Sequence, residues 1–351
     1  MVVPDFKRTY IAYQRTLNHE IIEIVIRQID TIPPMLTLRF RNFPKDIARN
    51  WLVEIIELAS DSPVSIVEDS KIENKVDLEI TGPYGGDSDD YKTPFLKRLQ
   101  RFGYIKVSKG HHLSNPRLSA GLQPRKSAAK NIWFTGENQR PPQGSWDGFL
   151  SFDSKLSKSR NAYLPLWMLT STDMMKSTKE TFWRQDVPQV SSLLKKRKFQ
   201  TTRRKFCCSF VGKTYAMRLH AIEELSKISA IDVFGQSVRN VRKFPGKDAR
   251  KYKFCLCFEN DIYPGYITEK PLEAYIAGTV PLYFGHDIEG YLNPKAIINL
   301  LDFSDITEWA KYVKKVHSNE KLYRYHFEQP ILQRKPDLSD VIKLIRKILD
   351  E

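Results

Sequence analysis

The sequence contains little cysteine. Its four cysteines form two tight pairs, at positions 207 and 208 and at positions 255 and 257, inside apolar runs. A disulfide framework would distribute cysteines along the chain, and a zinc site would need CxxC or Cys-His spacing, neither of which occurs. The spacing therefore predicts buried thiols in a reducing compartment, and we assign no metal site.

Long hydrophobic runs are also absent. No window approaches the roughly 18 consecutive apolar residues that a membrane-spanning helix requires. Charged residues and a proline interrupt residues 1–15, where a secretory signal needs an unbroken apolar stretch. These absences predict a cytoplasmic protein, which could still associate peripherally with a membrane surface.

Positive charge is abundant. The 56 lysines and arginines exceed the 41 acidic residues, so the formal net charge is +15. Such a surplus favours polyanions, acidic membrane surfaces or phosphate-bearing ligands without choosing among them. Because a chain of 351 residues exceeds the size at which one core stops growing, we expect two domains with a ligand cleft between them.

Apolar strands alternate with amphipathic helices, which predicts an α/β fold. The predicted strands are residues 35–40, 64–68, 75–80, 131–134, 148–152, 206–211, 231–234, 254–258 and 280–284. The predicted helices are residues 45–59, 215–229, 269–277, 307–316 and 338–349. Two strand-helix-strand units make the second half Rossmann-like. A polar, basic stretch separates the halves, so we predict an N-terminal domain over 1–170, a linker over 171–205 and a C-terminal domain over 206–351.

Residues 258–285 carry the clearest chemical signal. An apolar strand leads into a polar loop, and Thr268 is placed to cap a helix whose free N–H groups would attract an anion. Lys270 lies in the first turn, where the macrodipole disfavours a cation unless an anion such as a phosphate compensates. The alternative is that Lys270 is a solvated lysine and that Glu269 simply complements the dipole.

Three other patterns are weaker. Residues 212–214 are Gly-Lys-Thr, but the first glycine of a phosphate-binding loop would have to stand at Cys207. Asp87 and Asp89 have the DxD spacing of metal-dependent transferases but lie in a Gly/Asp-rich loop. The histidines at 111 and 112 have no carboxylate or thiol nearby in sequence. We therefore predict no nucleoside triphosphate loop at 212–214, interpret Asp87 and Asp89 as solvated loop residues, and assign no metal site to the two histidines.

Several segments resemble one known family. Residues 258–285 contain Phe-Glu-Asn, then Tyr-Ile-Thr-Glu-Lys and a Pro-Leu strand ending at glycine, and residues 134–141 are Phe-Thr-Gly-Glu-Asn-Gln-Arg-Pro. Together with the Phe-Cys-Cys stretch that starts at 206, they resemble the alpha-1,3/1,4-fucosyltransferases, glycosyltransferase family 10, in its soluble bacterial form. The resemblance covers about residues 130–330 and implies a GT-B fold, two facing Rossmann-like domains with a cleft between them.

The resemblance implies a donor site for GDP-fucose. By matching position, Lys270 and Arg218 would contact the diphosphate, Glu269 would accept from a ribose or fucose hydroxyl, and Asn260 and Tyr266 would complete the site. From the residues alone, Arg218 could be a surface arginine, Asn260 could hold its own turn, and Tyr266 could be a half-buried tyrosine.

By the same resemblance, Glu137 is the catalytic base of an inverting displacement. The acceptor would be a glycan on an oligosaccharide, lipopolysaccharide or glycoprotein, linked alpha-1,3 to N-acetylglucosamine or glucose. No metal is required in principle, although Mn²⁺ or Mg²⁺ could stimulate the reaction, and no nucleic acid is expected as a partner. The alternatives are a GT-B transferase with another nucleotide sugar and, from a different class, a basic module that binds nucleic acid or a membrane surface.

Overall fold

The structure is a computed structural model. It describes residues 34–43, 49–67, 74–83, 117–118, 123–137, 139–153, 156–170, 189–199, 205–211, 215–234 and 246–351. Three predicted features lie outside these ranges: Asp87 with Asp89, His111 with His112, and residues 212–214.

The first half forms a sheet of six parallel strands in the order β2-β1-β3-β5-β7-β8. Its strands are β1 (Leu36–Arg41), β2 (Val64–Val67), β3 (Val76–Thr81), β5 (Ala128–Phe134), β7 (Gly148–Ser151) and β8 (Asn161–Tyr163). A separate pair consists of β4 (Arg117–Leu118) and β6 (Gln139–Arg140). Helix α1 (Arg49–Ser60) connects β1 to β2, and its apolar stripe is buried in one cluster with alternate residues of β1 and β3.

The residues of β1 and β3 that alternate with these apolar ones include a buried ion pair, which the sequence analysis did not predict. Arg39 and Glu79 are opposite each other in the β1–β3 register and are both fully buried. The Arg39 Nε donates to Glu79 Oε2 at 2.7 Å, and its Nη2 donates to Ser127 Oγ at 2.6 Å. Because Arg39 is also bonded to neighbouring loops, this pair ties the sheet to the turn that precedes β5.

The second half forms a sheet of five parallel strands in the order β10-β9-β11-β12-β13. The strands are β9 (Lys205–Phe210), β10 (Ile231–Phe234), β11 (Tyr252–Leu256), β12 (Val280–Tyr283) and β13 (Ile298–Asn299). Helix α3 (Ala216–Ser226) connects β9 to β10, and α4 (Lys270–Ile276) connects β11 to β12. In such a doubly wound sheet the strand order reverses between β9 and β11, and ligands bind beyond the carboxyl ends of the strands at that point.

The basic stretch predicted as a linker contains an embedded arginine. Within it, α2 (Val190–Leu193) precedes Arg197, whose guanidinium lies between the rings of Tyr275 and Phe327. The guanidinium donates to the carbonyl oxygens of Phe327, Tyr275 and Thr279 at 2.7–3.0 Å. One member of the basic run is therefore structural.

Three helices end the chain: α5 (Ile306–Ser318), α6 (Glu320–Glu328) and α7 (Ser339–Asp350). Helix α7 returns to the first sheet and packs against α1, β7 and β8. Its apolar face is buried there, and the Arg346 Nε donates to the carbonyl of Ala59 at 3.0 Å. Over the described ranges, none of the helices combines the length and apolarity needed to cross a membrane.

Candidate active site

A buried carboxylate organises the loop that follows β11. Glu259 is 3% exposed, and its oxygens accept hydrogen bonds from Thr268 N at 2.8 Å, Thr268 Oγ1 at 2.7 Å and Tyr283 OH at 3.3 Å. Lys270 Nζ adds an ion pair at 3.1 Å. The sequence analysis gave Glu259 no role, although an acidic residue directly after an apolar strand was a signal that it could have used.

Lys270 is held by side chains at the start of α4. Its ammonium donates to Glu259 Oε2 and, at 2.8 Å, to Thr268 Oγ1, and its side chain is 24% exposed. Burial acts to lower the pKa of Lys270, but the carboxylates of Glu259 and Glu269 raise it above the ordinary value. Lys270 therefore stays charged at neutral pH. An ammonium has three N–H groups, so one donor is left beyond these two bonds.

The predicted helix cap is different in the structure. Helix α4 begins at Lys270 and has Glu269 as its N-cap, without a side-chain capping bond. Thr268, predicted as the cap, donates its hydroxyl to Glu259 and accepts from the Lys270 ammonium at 2.8 Å, while the main-chain N–H of Lys270 lies at a long 3.5 Å from its Oγ1. The positive charge at this end of the sheet therefore comes from side chains more than from the seven-residue helix.

Arg218 supplies a second cation at the same edge. It lies in the first turn of α3, is 5% exposed, and donates through Nη2 to the carbonyl of Phe258 at 2.7 Å. The same nitrogen lies 3.4 Å from the side-chain oxygen of Asn260. Burial lowers the pKa of Arg218, and the charge of Glu259 opposes that shift. The surface alternative for Arg218 is thus wrong, and the structure brings Arg218, Asn260 and Lys270 together around Glu259.

Tyr266 is buried, not half-buried. It is 1% exposed, and within the described part of the chain its hydroxyl has no hydrogen-bond partner. Burial raises the pKa of Tyr266, and the charges of Glu259 and Glu137 raise it further. A buried hydroxyl without a partner costs about 1–3 kcal/mol. The Tyr266 hydroxyl is therefore suited to form a hydrogen bond with a ligand atom.

Glu137 stands beyond the carboxyl end of β5, in a turn that its neighbours define. The Thr135 hydroxyl donates to the main-chain oxygens of Glu137 and Gln139 at 3.2 and 3.0 Å. A Cβ at Gly136 would lie 3.0 Å from the Leu166 side chain, so a larger residue would force Leu166 to shift by a few tenths of an ångström. Main-chain atoms of Glu137 make the bonds of this turn. The side chain of Glu137 is half-buried, and its charge raises the pKa of Tyr266.

The loop after β11 also contacts the first sheet directly. Tyr263 donates its hydroxyl to Asp153 Oδ1 at 2.6 Å, and Tyr163 donates to the carbonyl of Gly265 at 3.0 Å. Gly265 has φ +85°, and a Cβ there would lie 2.8 Å from the carbonyl of Phe152. Only glycine permits this approach, which places the carboxyl ends of β5 and β7 next to the loop that carries Tyr266 and Lys270.

The cysteines do not contribute reactive groups. All four are buried, and the β9–β11 register sets Cys208 opposite Cys255. Burial raises the pKa of Cys207, Cys208 and Cys257, so these thiols remain protonated at neutral pH. Among the residues that the structure describes, no group of three or more His, Cys, Asp or Glu side chains could hold a metal ion.

Comparisons of sequence identify relatives of this chain. Residues 200–330 match the family model of glycosyltransferase family 10 (fucosyltransferase), C-terminal part. The chain is 27% identical over 222 residues to the alpha-(1,3)-fucosyltransferase FucT of Helicobacter pylori, covering 56% of this chain and 46% of that protein. It is 38% identical over 117 residues to the mouse 4-galactosyl-N-acetylglucosaminide 3-alpha-L-fucosyltransferase 9, covering 31% of this chain and 32% of that protein. The chain thus spans less than half the length of either relative.

Comparison of structures extends the likeness to most of the chain. The crystal structure of an alpha1,3-fucosyltransferase with GDP-fucose matches with a TM-score of 0.59 and 19% identity, covering 91% of each chain. This likeness confirms the predicted α/β fold with parallel sheets of the GT-B type. On the sequence match, residues 200–330 of this chain are similar to the C-terminal domain of glycosyltransferase family 10, the fucosyltransferase family.

Proposed function

We propose that this protein transfers fucose from GDP-fucose to a hydroxyl group of a glycan, with inversion at the anomeric carbon. One observation carries the proposal: Arg218 and Lys270, two cations around one buried carboxylate, lie where the strand order of the second sheet reverses. A diphosphate is the natural ligand for two cations at such an edge. The family match over the same residues supports fucose as the sugar.

In this proposal the second sheet holds the donor. The ammonium of Lys270 and the guanidinium of Arg218 bind the diphosphate and neutralise the charge that grows on it as the sugar leaves. The unpartnered hydroxyl of Tyr266 bonds to the donor, and Glu269 accepts from a ribose or fucose hydroxyl. Asn260, whose side-chain oxygen lies near Arg218, orients the guanidinium.

The first sheet would supply the base. Glu137 takes the proton from the acceptor hydroxyl while that oxygen attacks the anomeric carbon and the bond to the diphosphate breaks. A correctly placed general base contributes roughly 10²- to 10⁴-fold to such a rate. The charge of Glu137 raises the pKa of Tyr266, and this electrostatic link between a carboxylate of the first sheet and the donor loop supports the role. The displacement needs no metal in principle, and stimulation by Mn²⁺ or Mg²⁺ remains part of the proposal.

The acceptor is proposed from the names of the relatives. They act as alpha-1,3-fucosyltransferases, and one name specifies a 4-galactosyl-N-acetylglucosaminide. We accordingly propose transfer to the 3-hydroxyl of N-acetylglucosamine or glucose in an oligosaccharide, lipopolysaccharide or glycoprotein. A cytoplasmic location at a membrane surface belongs to the same proposal.

Thermal unfolding with a panel of nucleotides tests the donor first. GDP at about 100 times its dissociation constant should add about 2.7 kcal/mol of stability, whereas UDP and ADP should add far less. Fucose transfer from GDP-fucose to N-acetyllactosamine, followed by mass spectrometry and by the anomeric coupling constant, then tests the reaction and its stereochemistry. A shift selective for UDP would indicate another nucleotide sugar. Salt-sensitive nucleic-acid binding without sugar transfer would contradict the enzyme proposal.

A further inference from the structure

Asp153 lies between the segment that carries Glu137 and the loop that carries Lys270. It follows β7, is 1% exposed, and uses a different oxygen for each neighbour. Its Oδ1 accepts from the hydroxyl of Tyr263 at 2.6 Å, and its Oδ2 accepts from the Nε of Arg140 at 2.6 Å. The Arg140 guanidinium also lies over the Tyr263 ring, 5.3 Å from its centre.

One partner of Asp153 lies in the segment of the proposed base, and the other lies in the proposed donor loop. Arg140 lies in β6, three residues after Glu137, and the turn between them is closed by Thr135. Tyr263 lies in the donor loop between Glu259 and Tyr266, and its ring packs edge-on against Phe152. The carboxylate of Asp153 therefore joins the two segments whose separation sets the distance from base to sugar.

Asp153 itself is fixed in place by its own turn. Its main-chain N–H donates to the Ser151 hydroxyl at 3.2 Å, and its main-chain oxygen accepts from the Asn161 side chain at 3.2 Å. A buried carboxylate with a charged partner and two short bonds allows little movement. Position matters for the chemistry, since an error of about 1 Å between reacting groups can cost roughly 100-fold in rate.

We propose that Asp153 is a positioning residue that holds the Glu137 segment against the donor loop through Arg140 and Tyr263. The inference rests on the proposed function, since it assumes that Glu137 is the base. It predicts that Asp153 and Tyr263 affect turnover through Glu137, and that their contribution disappears once the Glu137 carboxylate is removed.

A double-mutant cycle tests this coupling. Fucose transfer is measured for the wild type, Tyr263→Phe, Glu137→Gln and the double variant, all shown to be folded by thermal unfolding. Tyr263→Phe removes one hydroxyl and should lower kcat about tenfold in the wild-type background. In the Glu137→Gln background it should lower kcat less than about twofold, because groups that act as a unit are not additive. Asp153→Asn, if it folds, should show the same pattern with a larger loss.

Tyr163→Phe is the matched control. It also removes a hydroxyl that bonds to the donor loop, at Gly265, but that bond has no link to Arg140. Its effect on kcat should be equal in both backgrounds. Equal losses for Tyr263→Phe in both backgrounds would overturn the inference while leaving the proposed function intact. Absence of transfer by the wild type would overturn the proposed function, and the inference with it.

Discussion

At the residue scale, the charge of Lys270 is balanced before any ligand binds. A cation in the first turn of a helix is disfavoured by about 0.3–1 kcal/mol, and the sequence analysis assigned the compensation to a phosphate. The structure provides it through Glu259, which is buried and directly paired with Lys270. A diphosphate therefore has to share Lys270 with Glu259, and Thr268 keeps the ammonium in position for both.

Replacing Lys270 by alanine should weaken donor binding and turnover together, because the diphosphate is present in the ground state and in the transition state. Loss of one charge-assisted bond costs about 1.5–3 kcal/mol, which corresponds to roughly 10- to 150-fold in the dissociation constant of GDP. Isothermal titration calorimetry measures the change. Lys311→Ala, which removes an exposed lysine paired with Glu308, is the control. Unchanged GDP affinity in folded Lys270→Ala would exclude this lysine from the donor site.

Replacing Glu137 by glutamine should separate catalysis from binding. Glutamine keeps the size of the side chain but cannot take a proton, so kcat should fall at least roughly 100-fold while the GDP dissociation constant stays within a few-fold. Stopped assays across pH supply a second readout. The wild-type rate should decline as the carboxylate is protonated in acid, and the variant should lack that decline. A variant with nearly full activity would place the base elsewhere.

At the element scale, the buried thiols of β9 and of the residue after β11 make stability sensitive to alkaline pH. The pKa values of Cys207, Cys208 and Cys257 are raised by burial above the ordinary value of 9.0. Above that pH the unfolded chain loses thiol protons that the folded chain keeps, so the free energy of unfolding falls as pH rises. Each thiol contributes at most about 1.4 kcal/mol per pH unit.

Cys257→Ala should therefore flatten the loss of stability between pH 9 and 10. Urea unfolding at several pH values measures the slope, and the range from pH 6 to 8 is the internal control, since the Cys257 thiol stays protonated there in the folded state. The cavity left by the substitution lowers stability by a similar amount at every pH. An unchanged slope above pH 9 would mean that this thiol ionises equally in both states.

At the scale of the whole molecule, the first sheet depends on the last helix. Val341, Leu344, Ile345 and Ile348 of α7 are buried, and a Cβ at Gly148 would lie 2.5 Å from Ile348 Cδ1. Gly148 and Ile348, 200 positions apart in sequence, thus share one packed surface. The chain cannot form the complete core of its first half until its C-terminal end has been made.

Ile345→Ala should lower the free energy of unfolding by about 2–5 kcal/mol, because the side chain is fully buried and leaves a cavity. Urea denaturation followed by circular dichroism measures the loss. Lys343→Ala, on the exposed face of the same helix, should change stability by less than about 0.5 kcal/mol. A loss below about 1 kcal/mol for Ile345→Ala would show that α7 is not packed against the first sheet in solution.

Several parts of the fold could be predicted from local patterns. The strand over 231–234 has the predicted bounds, and most other described strands and helices differ by a few residues at their ends. Helix α6 was missed although its buried residues Tyr323, His326 and Phe327 recur at helical spacing, because the segment has only nine residues and most of the others are charged or polar. The motif over 258–285 was recognised because its residues are close together in the chain.

By itself, the sequence determined the α/β class, the two strand-helix series and the residues of the family motif, since these follow from periodicity and from neighbours in the chain. Only the tertiary structure decided that Arg218 is buried and that Glu259 holds Lys270. It also decided that Asp153 joins Arg140 to Tyr263, which lies 110 positions after Asp153 in the chain. These contacts depend on which strand ends meet, and that choice is made by packing across the whole chain, which no local pattern encodes.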